Sequence, residues 1–183
     1  MEKLMIDENI FLEKLNLTHV EIIFHGIDQN RSFLRKWLPF VDFTHKIADT
    51  EIFVRSVIDK VLSNRDEVYV IWHKFEFAGL IGFKDIDRVN DKLEIGYWLI
   101  PKMTGKGIAT KATLKMINLA FRNMEMNRIV IRCGVGNEKS AAIPKRLGFS
   151  LEGVERNGER HNQSFIDLEI FSLLRSEWAK TLF

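Results

Sequence analysis

The stretch from Glu67 to Asn123 limits the fold most, because it switches hydrophobic period without a break in the chain. "EVYVIWHKFEFAGLIGFKDID" and "DKLEIGYWLI" are rich in β-branched and aromatic residues, and they predict a meander of consecutive strands with a turn near Lys74 to Gly79. Strand spacing stops near Ile100. Helical spacing begins at Ile108 and puts Ala112, Met116, Leu119 and Ala120 on one side through about Asn123. The joint is "PKMTGKG", a proline and two glycines one residue apart. A strand feeding a helix through such a turn points successive N–H groups out of the helix start, with the helix's partial positive charge behind them. Gly105 and Gly107 let an anion approach without a Cβ in the way, and small Ala109 and Thr110 keep the first turn open. An ordinary turn can also carry a G-x-G pair; the strand before it and the helix after it favour the phosphate reading.

The remainder predicts an α+β chain. "NIFLEKLNL" fits a strand, and "THVEIIFHGIDQNRSFLRKWLPF" reads as helix from a possible cap at Thr18. Asp49 precedes a second helix, "TEIFVRSVIDKVLSNR", whose Ile52, Phe53, Val57, Ile58 and Val61 recur at helical spacing. Past Asn123, "RIVIRCGV" predicts a strand buried on both faces, and "NEKSAAIPKRLGF" a short helix ended by Gly148. "FSLEGVERN" and "FIDLEIFSLLR" predict a final antiparallel pair around a polar loop.

At 183 residues and 46% apolar, the chain suits one domain over residues 1–183. Its 27 basic and 25 acidic residues leave a net charge of +2, short of the one-sided field of a dedicated nucleic-acid binder. Cys133 is the only cysteine and no stretch approaches a membrane span, so the expected location is the cytoplasm. The histidines form no H-E-x-x-H and no zinc-spaced pair with cysteine, and no metal is expected.

Three phosphate-loop patterns compete for the turn. A Walker loop needs a serine or threonine after its lysine, but Gly107 follows Lys106. The dinucleotide fingerprint requires a small residue where Thr110 stands and a leading parallel strand. The third pattern is glutamine or arginine, two residues, glycine, one residue, then glycine or alanine. "TGKGIA" matches it at Gly107 and Ala109, with Thr104 in the leading polar position.

That pattern resembles the acyl-coenzyme A loop of the GNAT superfamily of N-acetyltransferases. "NEKSAAIPKRLGF" is similar to the second coenzyme A segment of that superfamily, with Asn137, Ser140, Leu147, Gly148 and Phe149 at the matching positions. "EIGYWLIP", "WLPF" and "EGVERNGERHNQSFIDLEIFSLLRSEW" resemble the branch that acetylates N-terminal alanine or serine of ribosomal proteins, a branch that often forms dimers. The resemblance implies a mixed, mostly antiparallel central sheet with helices on both faces, splayed at the acetyl-coenzyme A site. It also implies that backbone groups of Trp98, Leu99 and Ile100 bind the pantetheine arm and polarise the thioester. The residues implied to hold the rest of the cofactor are Thr104, Gly105, Lys106, Gly107, Ile108, Ala109, Thr110, Asn137 and Ser140, with Lys106 or Lys111 adding charge. Direct transfer needs a base and an acid. The resemblance offers Ser140 as the acid and Glu159, in the polar loop, as the base ahead of Glu94; Trp37 and Phe40 would wall the acceptor pocket. Each has a plainer alternative: a capping serine, solvated glutamates, core aromatics. The acceptor would be a protein N-terminal amine or a small primary amine. A sensor that binds acyl-coenzyme A without turnover is the alternative from another class.

Overall fold

The computed structural model describes residues 3–62, 66–161 and 163–180. The expected helix residues 63–65, the side chain of Val61, and Asn162 of the expected polar loop lie outside them. The strands are β1 (Lys3–Met5), β2 (Ile10–Lys14), β3 (Glu67–His73), β4 (Glu76–Asp87), β5 (Lys92–Leu99), β6 (Arg128–Gly134), β7 (Ser150–His161) and β8 (Ser164–Leu174). The helices are α1 (Val20–Asp28), α2 (Arg31–Leu34), α3 (Ile47–Leu62), α4 (Ile108–Asn118), α5 (Glu138–Arg146) and α6 (Arg175–Lys180). One sheet runs β1-β2-β3-β4-β5-β6-β8-β7, and every adjacent pair is antiparallel except β5–β6. This is the expected α+β architecture, with α1 against β4 and α3 against β3, while α4 packs on β2, β4 and β5.

The parallel pair is short. Lys92–Glu94 of β5 pairs with Arg128–Val130 of β6 and the register then stops, although β5 continues to Leu99. β6 spends its whole length on β8, from Arg128 opposite Leu174 to Gly134 opposite Leu168. A wedge therefore opens between the C-terminal ends of β5 and β6, the splay that the resemblance implies. Below it, α4 seals the core with Ile108, Ala112, Met116 and Ile117, all essentially inaccessible to solvent.

Several local expectations need correction. The single helix from Thr18 is broken: Asn16, not Thr18, is the first cap, its side chain accepting from the Thr18 N–H at 2.9 Å, and α1 ends before Asn30, whose side chain donates to the Gly26 carbonyl. Arg31 then donates to the carbonyls of Val41 and Thr44 and folds the Pro39–Phe43 turn back on α2. α3 starts ahead of Asp49, whose carboxylate accepts the His45 and Lys46 N–H groups from inside the first turn. β6 is buried on one face only: on the other, Arg132 is exposed and its guanidinium pairs with Glu94 of β5 and Glu155 of β7. The last pair of strands is longer than expected: "RNGERH" belongs to β7, and Glu159 stands on a strand opposite Ile166. A bulge between Glu155 and Glu159 absorbs the turn-like Asn157-Gly158, with Asn157 at φ 53° and its N–H on Asp167 Oδ1 at 2.8 Å.

Candidate active site

The turn before α4 is built for an anion. Gly105 and Gly107 have φ of 75° and 73°, backbone that side chains rarely adopt, and a Cβ on either would meet nothing within 4 Å. Gly107 is the N-cap and offers no side-chain acceptor to the first N–H groups of α4, those of Ile108, Ala109 and Thr110. The fit to a pyrophosphate rests on this open nest of unclaimed donors. Thr104 turns inward, donating its hydroxyl to the Pro101 carbonyl at 2.8 Å, so it finishes the one-turn helix Pro101–Met103. Lys111 is held by Asp7 at 2.6 Å, which leaves exposed Lys106 as the cation beside the turn. Arg146 of α5 reaches over the same turn to Thr110 Oγ1 at 2.8 Å, a contact between separate helices that no local motif signals.

From the turn the wedge runs inward between β5 and β6. Ile100 donates its N–H to the Ala78 carbonyl at 2.9 Å, and N–H groups alternate sides along a strand, so that of Leu99 faces the wedge. On the far rim, Asn137 caps α5 by accepting the Ser140 N–H at 3.3 Å. Ser140 Oγ lies 3.3 Å from Cys133 Sγ and 3.5 Å from the Tyr97 hydroxyl, which donates to the Ser140 carbonyl at 3.1 Å. Burial pushes both the Tyr97 phenol and the Cys133 thiol above their usual range, so both are protonated at neutral pH. In the sequence Tyr97 carries no signal beyond being polar in an apolar run.

The opposite face of the wedge carries the acceptor candidates. Phe40 tilts against Trp98 with ring centroids 6.3 Å apart, and Phe77 supports Trp98 edge-on at 5.9 Å. Trp37 lies on the end of β6, where a Cβ on Gly134 would come within 3.2 Å of its ring. Glu94 is buried, and both its oxygens are taken: Lys84 Nζ at 2.7 Å and Arg132 Nη1 at 3.1 Å. Glu159 is half-buried, and burial pushes its carboxyl above the usual range, while Lys84 and His161 pull it down and Glu94 pushes it up. Among the described residues, no cluster of three or more His, Cys, Asp or Glu could hold a metal ion, and no helix is long and apolar enough to cross a membrane.

Residues 9–150 match the acetyltransferase (GNAT) domain family. The chain belongs to this family. It is 37% identical over 175 residues to the "Putative ribosomal N-acetyltransferase YdaF" of Bacillus subtilis (strain 168), covering 94% of this chain and 95% of that protein. It is 28% identical over 171 residues to the ribosomal-protein-serine acetyltransferase of Escherichia coli, covering 93% and 96%. Among solved structures, the microcin C7 self-immunity acetyltransferase MccE in complex with acetyl-CoA and AMP superposes with a TM-score of 0.88 at 32% identity, over 92% of this chain and 94% of that one. The GNAT match accounts for the strand–turn–helix geometry and for the wedge above it.

Proposed function

We propose that residues 1–183 act as one N-acetyltransferase domain that moves an acetyl group directly from acetyl-CoA to the N-terminal α-amine of a ribosomal or other protein. The observation that carries this reading is the wedge between β5 and β6. It opens at one end on the anion turn, and on one face on Trp37, Phe40, Trp98 and the half-buried Glu159. The likeness to two ribosomal-protein acetyltransferases over nearly the whole chain supports the acceptor class.

Acetyl-CoA supplies a thioester carbon open to attack by an amine. The N–H groups from Gly105 to Thr110 hold the pyrophosphate, with Lys106 and Arg146 adding charge. Of Trp98, Leu99 and Ile100, the Leu99 N–H is the free main-chain donor facing the wedge, and it polarises the carbonyl; losing one such donor typically costs on the order of 10²–10³ in rate. Glu159 takes the amine proton, and its raised pKa suits it to that task better than Glu94, whose oxygens are both engaged. Ser140 stands at the leaving sulfur, and Asn137 holds the helix start that carries it. Trp37 and Phe40 wall the acceptor. A single cysteine, unable to form an internal disulfide, suits work in the cytoplasm.

Mass spectrometry of Ser- and Ala-initiated peptides incubated with the protein and acetyl-CoA tests the proposal, with spermidine as a small primary amine alongside. Acetylation confined to the peptide N-terminus is expected. Product only on spermidine moves the acceptor class to small primary amines. Binding without any product leaves a sensor.

A further inference from the structure

We propose that Tyr97 is a positioning residue for the leaving-group side of the transfer, setting Ser140 Oγ in the wedge as a hydrogen-bond donor to the departing sulfur. This rests on the reading of Ser140 given above. No strand pairing joins β5 to β6 beyond Glu94, so the side of the wedge that carries Tyr97 and the side that carries Ser140 need another tie. The phenol provides one: it donates to the Ser140 carbonyl at 3.1 Å, between residues 43 positions apart in the chain.

The same contact sets the serine hydroxyl. The phenol's proton is committed to the carbonyl, so toward Ser140 Oγ the Tyr97 oxygen can only accept. At 3.5 Å that bond is long, hence weak, and readily surrendered. On the other side Cys133, held protonated by burial, lies 3.3 Å away and can fill an acceptor position of Oγ. A hydroxyl parked on a poor acceptor gains most when an anion appears beside it, because bonds to charged acceptors are about twice as strong as neutral ones. The gain falls in the transition state and not in the resting complex, which is what speeds a reaction. In the transfer, the amine lone pair forms the N–C bond, the C–S bonding pair leaves on sulfur, and Glu159 takes the amine proton. The thiolate regains a proton from water on release. Ser140 and Tyr97 keep theirs throughout.

A double-mutant cycle on the full chain, with acetyl-CoA and a Ser-initiated peptide, tests this. Tyr97→Phe, which removes only the hydroxyl, is expected to lower kcat about tenfold while KM for acetyl-CoA and Kd for coenzyme A stay within about twofold. Ser140→Ala is expected to be at least as slow, and the double variant no slower than Ser140→Ala by more than about twofold, because Tyr97 acts through Ser140. Wild-type kcat for Tyr97→Phe beside a slow Ser140→Ala overturns the Tyr97 role alone. So do multiplicative losses, and so does a kcat loss matched by equally weakened coenzyme A binding, the mark of a loosened wedge. Wild-type kcat for Ser140→Ala overturns the serine assignment beneath it.

Discussion

Lys84 Nζ sits 2.7 Å from Glu94 Oε1, joining adjacent residues of the β4–β5 ladder at the level where β5 loses β6. Arg132 takes the other oxygen from the β6 side, so a buried carboxylate ties together the strands that part company just beyond it. A carboxylate so engaged serves structure before it serves proton transfer. Glu94→Gln is therefore expected to cost about 1–3 kcal/mol of stability in urea denaturation, the range for a buried group left short of its partners. Its kcat should fall by less than about tenfold, well short of the 10²–10⁴ attached to a lost general base. A base-sized loss with unchanged stability would return the proton-accepting role to Glu94.

Glu159 carries the opposite expectation. Glu159→Gln should lower kcat on the order of 10²–10⁴ at neutral pH, recover in part at high pH as the amine deprotonates unaided, and leave coenzyme A affinity unchanged. Burial raises its pKa above the ordinary 4.5, so the wild-type kcat/KM profile should carry an acid-side inflection above that value that is absent from the variant, whose remaining rise follows the amine near ~8. The same shift has a stability consequence. A group whose pKa is higher folded than unfolded favours the folded state most below the unfolded pKa, and that contribution is lost as pH rises through the folded one. Thermal unfolding should thus find Glu159→Gln above wild type in Tm at pH 7, with the difference shrinking toward pH 4. An unshifted acid limb together with a wild-type rate would remove Glu159 from the chemistry.

What the sequence makes legible here is local. The meander declares itself through runs rich in β-branched and aromatic residues, and the anion turn through glycines whose positive φ is a property of their own residues. The wedge is not local: it exists because β6 pairs along its whole length with β8, a partner more than thirty residues away, and keeps only three residues for β5. The Tyr97–Ser140 contact and the Arg146–Thr110 contact share that character, since each joins separate elements that only the packed fold brings together. Resemblance points to Glu159, but Asn157-Gly158 reads as a turn and so predicts a loop there; a bulge spends those residues without ending the strand. The α1–α2 break is hidden for a related reason. Arg31 has helical character by itself, and its bonds to the Val41 and Thr44 carbonyls come from a turn the periodicity cannot see.

The anion turn yields a direct test by calorimetry. Gly107→Asp places a carboxylate at the helix start where the phosphates would sit, and aspartate is among the residues that tolerate positive φ, so the fold should survive. Coenzyme A binding should be lost, with unfolding still cooperative. Unchanged affinity would mean that the pyrophosphate lies elsewhere.

The choice of acceptor follows from proton arithmetic at the site. An α-amine has a pKa near ~8 and a lysine near ~10.4, so the neutral, nucleophilic form of lysine is about 3 kcal/mol costlier to reach at neutral pH. A half-buried carboxylate such as Glu159, even with its pKa raised, remains a weak base against that gap, and Lys84 and Arg132 are already engaged with Glu94. The enzyme must therefore draw on amine that is already partly neutral. In matched peptides, one with a free N-terminal serine and one blocked there but carrying an internal lysine, kcat/KM at pH 7 should favour the α-amine by about 10²–10³, the factor that the pKa gap alone supplies. The preference should narrow as pH rises from 7 to 10, because the α-amine's neutral fraction saturates while the lysine's continues to grow. Equal rates at pH 7 would require a stronger base or a cationic lysine pocket than the residues around this wedge provide, and would count against an N-terminal acceptor.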